Sequence, residues 1–166
     1  VKIPPLLEGG HQEHGRRAGT EPVPLIAGMA KALQLWSSGA EGRSARIRVL
    51  LDQLQQDLIR RCGPVVVHGE HADRLANTLS IAFPGIPGEA MLVNLHLAGV
   101  ACSLGSTCAS GSAQAAPSLL AMGIDPEICK SSVRFSLGYQ NSAEEIAEAA
   151  NRIANIVHRI RPVALI

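Results

Sequence analysis

Cys108 stands within Gly105-Ser106-Thr107-Cys108-Ala109-Ser110-Gly111-Ser112, a run made only of small residues. Such a segment contributes little to packing. Its glycines admit positive φ and close approach by another group, while the hydroxyls oppose burial in an apolar core. A thiol there reacts as its thiolate, which calls for exposure and a nearby positive charge. Arg134 is a candidate for that charge. In Ser131-Ser132-Val133-Arg134-Phe135-Ser136-Leu137, strict alternation sets Val133, Phe135 and Leu137 on one strand face and Ser132, Arg134 and Ser136 on the other. The remaining cysteines read as small buried hydrophobes: Cys62 ends an amphipathic helix, Cys102 lies in an apolar run, and Cys129 sits between Ile128 and Lys130. The string His11-Gln12-Glu13-His14 raises a metal site, but its histidines lack the spacing of a helical zinc site and no third ligand is evident, so no metal is expected.

The elements that must position these groups fit one domain, or one and a half. The 166 residues are long enough to bury a sizeable core. A formal net charge of +1 leaves no basic footprint for nucleic acid, and no run of like charge suggests a membrane patch. Apolar stretches are broken within a dozen residues or so, so neither a transmembrane span nor a signal peptide is expected. Four cysteines without a CxxC pair argue against a disulfide framework and for a reducing, cytoplasmic setting. Trp36, Phe83, Phe135 and Tyr139 are the only aromatics, which leaves few stacking partners for a planar ligand. The start at Val1, running through Pro4-Pro5 into Gly9-Gly10, reads as the interior of a longer protein.

Residues 1–20 show no apolar period and are expected as an extended polar loop. From Pro22, the spacing of Leu25, Met29, Leu33 and Trp36 predicts a helix ending at Ser37-Ser38-Gly39. A second helix follows Gly42, with Ile47, Leu50, Leu51, Leu54, Leu58 and Ile59 inward and Arg43, Arg46, Arg48, Asp52, Gln55, Gln56 and Asp57 outward, closed by Cys62-Gly63-Pro64. Strands are expected over 65–69, 78–83, 99–103 and 131–137, and helices over 87–98, 117–122 and briefly after Asp125. Ser142 and Glu145 form a capping-box signature at the head of a long amphipathic C-terminal helix. This order predicts a two-layer α/β domain with a small mixed or antiparallel sheet.

Taken in succession, Gly9-Gly10-His11-Gln12-Glu13-His14-Gly15-Arg16-Arg17-Ala18-Gly19-Thr20, the Gly105–Ser112 run, Leu119-Leu120-Ala121-Met122-Gly123 and Ser131–Gly138 resemble the C-terminal motifs of cysteine desulfurases, pyridoxal-phosphate enzymes of the class V aminotransferase group. The selenocysteine lyases share much of the pattern. The resemblance implies residues 1–38 as the end of the large cofactor-binding domain of a fold-type-I enzyme with an interdomain helix, and 39–166 as its small α/β domain. It implies that cysteine is converted to alanine while its sulfur passes to Cys108 as a persulfide. Arg134 corresponds to the arginine that clamps the substrate carboxylate, a role that a planar fork on a polar strand face suits. Thr20 corresponds to the residue reaching the cofactor phosphate of the other subunit in a homodimer. The implied cofactor is pyridoxal 5′-phosphate, and the implied partners are L-cysteine and a sulfur acceptor such as an iron-sulfur scaffold, without nucleic acid or membrane.

This sequence departs from the family pattern at His11, Leu104, Thr107 and Gln114-Ala115-Ala116. Its only lysines, Lys2, Lys31 and Lys130, lie outside the Ser-x-His-Lys context that carries the cofactor's Schiff base in the family. The chain alone is therefore expected to hold no cofactor covalently. From a different class, a non-catalytic partner-binding module is the competing reading.

Overall fold

The structure is a computed structural model that describes residues 4–105 and 115–161. The chain divides between Ala40 and Glu41 into two compact units. The first holds a single turn, α1 (Gln12–Gly15), and a helix, α2 (Val23–Ser37). In α1, Glu13 and His14 take φ of 52° and 57°, so this is a left-handed turn where the sequence suggests an extended loop. Helix α2 occupies its expected span, with Pro24 in the first turn where its missing N–H costs nothing. Its apolar residues Leu25, Met29, Leu33 and Trp36 are all exposed.

The second unit contains α3 (Ala40–Cys62) from its second residue onward, β1 (Val66–Val67), β2 (Thr78–Ala82), α4 (Gly88–Leu97), α5 (Pro117–Ala121), α6 (Pro126–Lys130), β3 (Ser132–Ser136) and α7 (Ala143–Ile160). The strands form one antiparallel sheet in the order β1-β2-β3. Leu79 and Ile81 of β2 pair with Phe135 and Val133 of β3, and these four side chains line the core face. Against them lie Leu51, Leu54 and Leu58 of α3, Met91 and Leu95 of α4, and Ile146, Ile153 and Val157 of α7. This is the small antiparallel sheet and two-layer α/β architecture that the sequence predicts.

Helix α7 illustrates which effect dominates. Ser142 Oγ accepts from the Glu145 N–H, and Glu145 returns a bond to the Ser142 N–H, completing the capping box. That cap is worth about 1 kcal/mol. Full burial of each of Ile146, Ile153, Ile156 and Val157 contributes about 1.5–3 kcal/mol. Packing of the apolar face therefore holds the helix, and the cap sets where it begins.

Three expectations need correction. Residues 99–103 form no strand, because Gly99 takes a φ of +74° and Val100 N–H donates back to Leu95 O to end α4, leaving a single antiparallel bridge from Ser103 to Arg134. The strand expected at 65–69 is reduced to Val66–Val67, with one further bond from His68 N–H to Ser80 O. Gln55 and Asp57 are buried where the helical pattern sets them outward. Their polar ends are satisfied, since Arg74 donates to Gln55 Oε1 at 2.9 Å and Arg60 pairs with Asp57.

Candidate functional site

Arg134 sits at the middle of β3 with its side chain exposed, flanked on the core face by buried Val133 and Phe135. Its backbone is tied on both edges. On one side it pairs with Ser80 of β2. On the other, Arg134 N–H donates to Ser103 O at 2.6 Å and Ser103 N–H donates to Arg134 O at 3.0 Å. Among the described residues the guanidinium itself reaches a single acceptor, Ser103 Oγ, at 3.5 Å from Nη2, the long end of a hydrogen bond. Among the described residues no carboxylate pairs with it.

Ser103 leads directly toward the cysteine segment. Its hydroxyl also accepts from Gly105 N–H at 3.2 Å, and Gly105 takes a φ of +77° that a side chain would strain. Between them Leu104, a departure from the family pattern, packs against the main core. Its Cδ2 would lie 3.1 Å from a Cβ at Gly88, where Lys130 O and Ser132 O also crowd within 2.9 and 3.2 Å, so only glycine admits the close approach of α4 here. Chain returning from the cysteine segment is anchored by Ala116, Leu119 and Cys129, which form a small cluster of their own. Cys108 lies outside the described residues.

The three described cysteines behave as the sequence suggests. Cys62 and Cys129 are buried and Cys102 is half-buried against the core. Burial pushes the Cys62 thiol up to about 11, with Arg161 and Arg61 opposing. It also raises Cys102, and it raises Cys129 with the help of Asp125. These directions all disfavour the thiolate.

Thr20 lies in the first unit, exposed, just after Gly19 with its φ of +115°. The structure therefore gives Arg134 and Ser103 one shared site, while Thr20 belongs to the other unit. Lysines fit a cofactor's covalent anchor poorly. Lys31 is an exposed residue of α2, and Lys130 Nζ lies 2.7 Å from Glu127 Oε1, a bond that raises its pKa and holds the amine protonated. Lys2 lies outside the described residues. These residues fit recognition of a carboxylate and do not fit covalent attachment of an aldehyde cofactor. Among the described residues no group of three or more His, Cys, Asp and Glu side chains could hold a metal, and no helix is long and apolar enough to cross a membrane.

One buried polar unit went unnoticed in the sequence. His68, only 4% exposed, holds Nε2 at 2.8 Å from Ser132 Oγ, and Ser132 Oγ donates to Ile128 O at 2.7 Å. The hydroxyl has one hydrogen, so toward His68 it accepts, and Nε2 carries the ring proton. Among the described residues Nδ1 is left as a buried acceptor without a partner. The signal was the strand alternation, which puts Ser132 beside Arg134 on the polar face; the structure buries Ser132 there under His68.

This fold and site define a class. The aminotransferase class-V family model matches residues 2–148, and the chain belongs to that family. It is 45% identical over 161 residues to a cysteine desulfurase of Bradyrhizobium diazoefficiens, covering 97% of this chain and 41% of that protein. It is 40% identical over 162 residues to a putative cysteine desulfurase, IscS 1, of Bacillus subtilis, covering 96% of this chain and 42% of that one. Among solved structures, it superposes on a NifS-like protein from Rickettsia africae with a TM-score of 0.79 at 30% identity, covering 95% of this chain and 41% of that chain. The chain thus spans about 41% of the length of the curated relatives it matches.

Proposed function

We propose that the protein containing this chain is a pyridoxal 5′-phosphate-dependent cysteine desulfurase that releases alanine from L-cysteine and retains the sulfur as a persulfide on Cys108. The observation that carries this reading is Arg134: an exposed guanidinium without a carboxylate partner among the described residues, fastened through its backbone to Ser103, from which the chain runs to Cys108. Cys108 stands five positions after Ser103 in the sequence. The similarity to proteins named cysteine desulfurase supports the same reaction.

In this reading Arg134 grips the substrate carboxylate through two parallel N–H donors and orients the thiol end toward Cys108. Cys108 thiolate forms an S–S bond to the substrate sulfur while the bond from that sulfur to Cβ breaks. The bonding pair leaves with the carbon skeleton, which takes up a proton and departs as alanine. The cofactor, when bound, supplies the electron sink that makes this cleavage accessible. Cys62 and Cys129 are buried and Cys102 is half-buried against the core, which disfavours the thiolate in each, and Cys108 is the nucleophile in this reading. Thr20 would contact the cofactor phosphate across a homodimer. The persulfide would pass to an acceptor protein in the cytoplasm, such as an iron-sulfur scaffold.

The test uses the full-length protein. After addition of L-cysteine, the Cys108 peptide is expected to gain the mass of one sulfur, and Cys108→Ala to abolish alanine formation with the cofactor's absorbance unchanged. Sulfur recovered on Cys102 or Cys129 would refute the assignment.

A further inference from the structure

Ser103 is absorbed neither by the core nor by the roles assigned above. Its main chain makes both bonds of the bridge to Arg134, and its half-buried hydroxyl accepts from two donors at once, Arg134 Nη2 at 3.5 Å and Gly105 N–H at 3.2 Å. A hydroxyl oxygen has two lone pairs, so both are engaged. The same atom therefore touches the guanidinium and the first glycine of the run that carries Cys108. An arginine on an exposed strand face has several rotamers, and holding one of them lowers the entropy lost when a carboxylate arrives. Gly105, at a φ of +77°, is free to leave that conformation unless its N–H is held.

We infer that Ser103 is a positioning residue: through one hydroxyl it sets the direction of the Arg134 guanidinium and fixes Gly105, so that the substrate clamp and the start of the cysteine run share a common reference point. The role toward substrate rests on the desulfurase reading, whereas the hold on Gly105 does not. Side chains without an oxygen at this position lose both contacts, while threonine keeps them. Alanine leaves the backbone bridge intact, which separates the hydroxyl's contribution from the fold's.

The experiment compares wild type, Ser103→Ala and Ser103→Thr in the full-length protein, by amide hydrogen exchange and by steady-state kinetics with L-cysteine. In Ser103→Ala, Gly105 N–H is expected to exchange about tenfold faster or more, while Arg134 N–H, bonded to Ser103 O in every variant, keeps its protection. The KM for L-cysteine is expected to rise about three- to tenfold, with a smaller change in kcat, and the inhibition constant of the carboxylate-bearing product L-alanine to rise with it. Ser103→Thr is expected to restore all three. Unchanged Gly105 exchange with unchanged KM in Ser103→Ala would overturn the inference, as would a threonine variant that behaves like alanine. A wild type that makes no alanine from cysteine would instead overturn the desulfurase reading and Ser103's role toward substrate, leaving the Gly105 exchange to decide the rest.

Discussion

At the end of α7, Arg161 donates to the carbonyl oxygens of Cys62 at 2.7 Å, Gly63 at 2.6 Å and Pro64 at 3.0 Å, while the neighbouring His158 Nε2 lies 2.8 Å from Arg61 O. In the middle of β3, Arg134 reaches one hydroxyl at 3.5 Å. The two side chains carry the same fork of donors. At Arg161 the fork closes the C-terminal end of α3, where the last carbonyls of a helix lack partners of their own and carry partial negative charge. Arg46 and Arg152 work the same way, donating to Tyr139 O and Asn141 O and to Ala98 O. Arg134 departs from this habit. An arginine whose guanidinium is engaged by backbone carbonyls serves the fold, and one whose guanidinium meets a single hydroxyl among the described residues, on a polar face, is available to a ligand.

Exchanging these roles by mutation would break the contrast. The largest effect is expected at Arg134: in the full-length enzyme Arg134→Ala should lower kcat/KM for cysteine by about thirtyfold or more, because loss of one partner of a desolvated charge pair costs about 2–5 kcal/mol. Its folding stability should move by less than about 0.5 kcal/mol, as for other exposed positions. Arg134→Lys keeps the charge and loses the fork, so it should recover only part of the activity. A strong loss of stability with KM unchanged would place Arg134 with the structural arginines.

The converse is expected at Arg161. Arg161→Met removes three bonds to backbone carbonyls and should destabilise the fold by about 2 kcal/mol in denaturant unfolding. The cost stays below the sum of three charged hydrogen bonds because Arg161 Nε is itself buried and meets no partner among the described residues. Steady-state constants of the folded fraction should be unchanged. A variant that unfolds at the wild-type denaturant concentration would show that water replaces the guanidinium at no cost.

Much of this contrast was legible in the sequence. Strict alternation over 131–137 gave the strand, which the structure trims by one residue at each end, and aimed Arg134 away from the core, and the Ser142 and Glu145 pair marked the start of α7 to the residue. Arg161 was not legible, because its partners lie about a hundred residues earlier and nothing local distinguishes it from a solvated arginine. Asp57 was set outward by helical spacing alone; its burial depends on Arg60 and Arg61 folding over it, which periodicity does not encode. Residues 99–103 looked like a strand by composition, but ending α4 takes the first of them, and only Ser103 reaches β3. In α2 the pattern predicted the helix correctly and was silent on what its exposed apolar stripe meets.

His68 sharpens the comparison most finely, since it shows a buried polar contact beside Arg134 that serves the fold through its charge state. Burial lowers the pKa of His68 below its ordinary value of 6.5, so the folded protein favours the neutral ring. As pH falls through 6.5, the unfolded chain takes up the proton first, and stability declines toward the lower folded value; above 6.5 the contribution is fully present. The geometry agrees: a proton on Nδ1 would meet no acceptor among the described residues, while Nε2 is already committed to Ser132. His68→Gln supplies a non-titrating N–H near the position of Nε2, and should flatten the dependence of unfolding free energy on pH between about 7 and 5 relative to wild type. Because Ser132 joins β3 to α6 through Ile128 O, acid should loosen this end of the strand while the Ser103–Arg134 bridge near its centre persists. Denaturant unfolding across that pH range with amide exchange at Val133 and Arg134 measures both, and an equal slope in wild type and His68→Gln would assign the acid sensitivity to other groups.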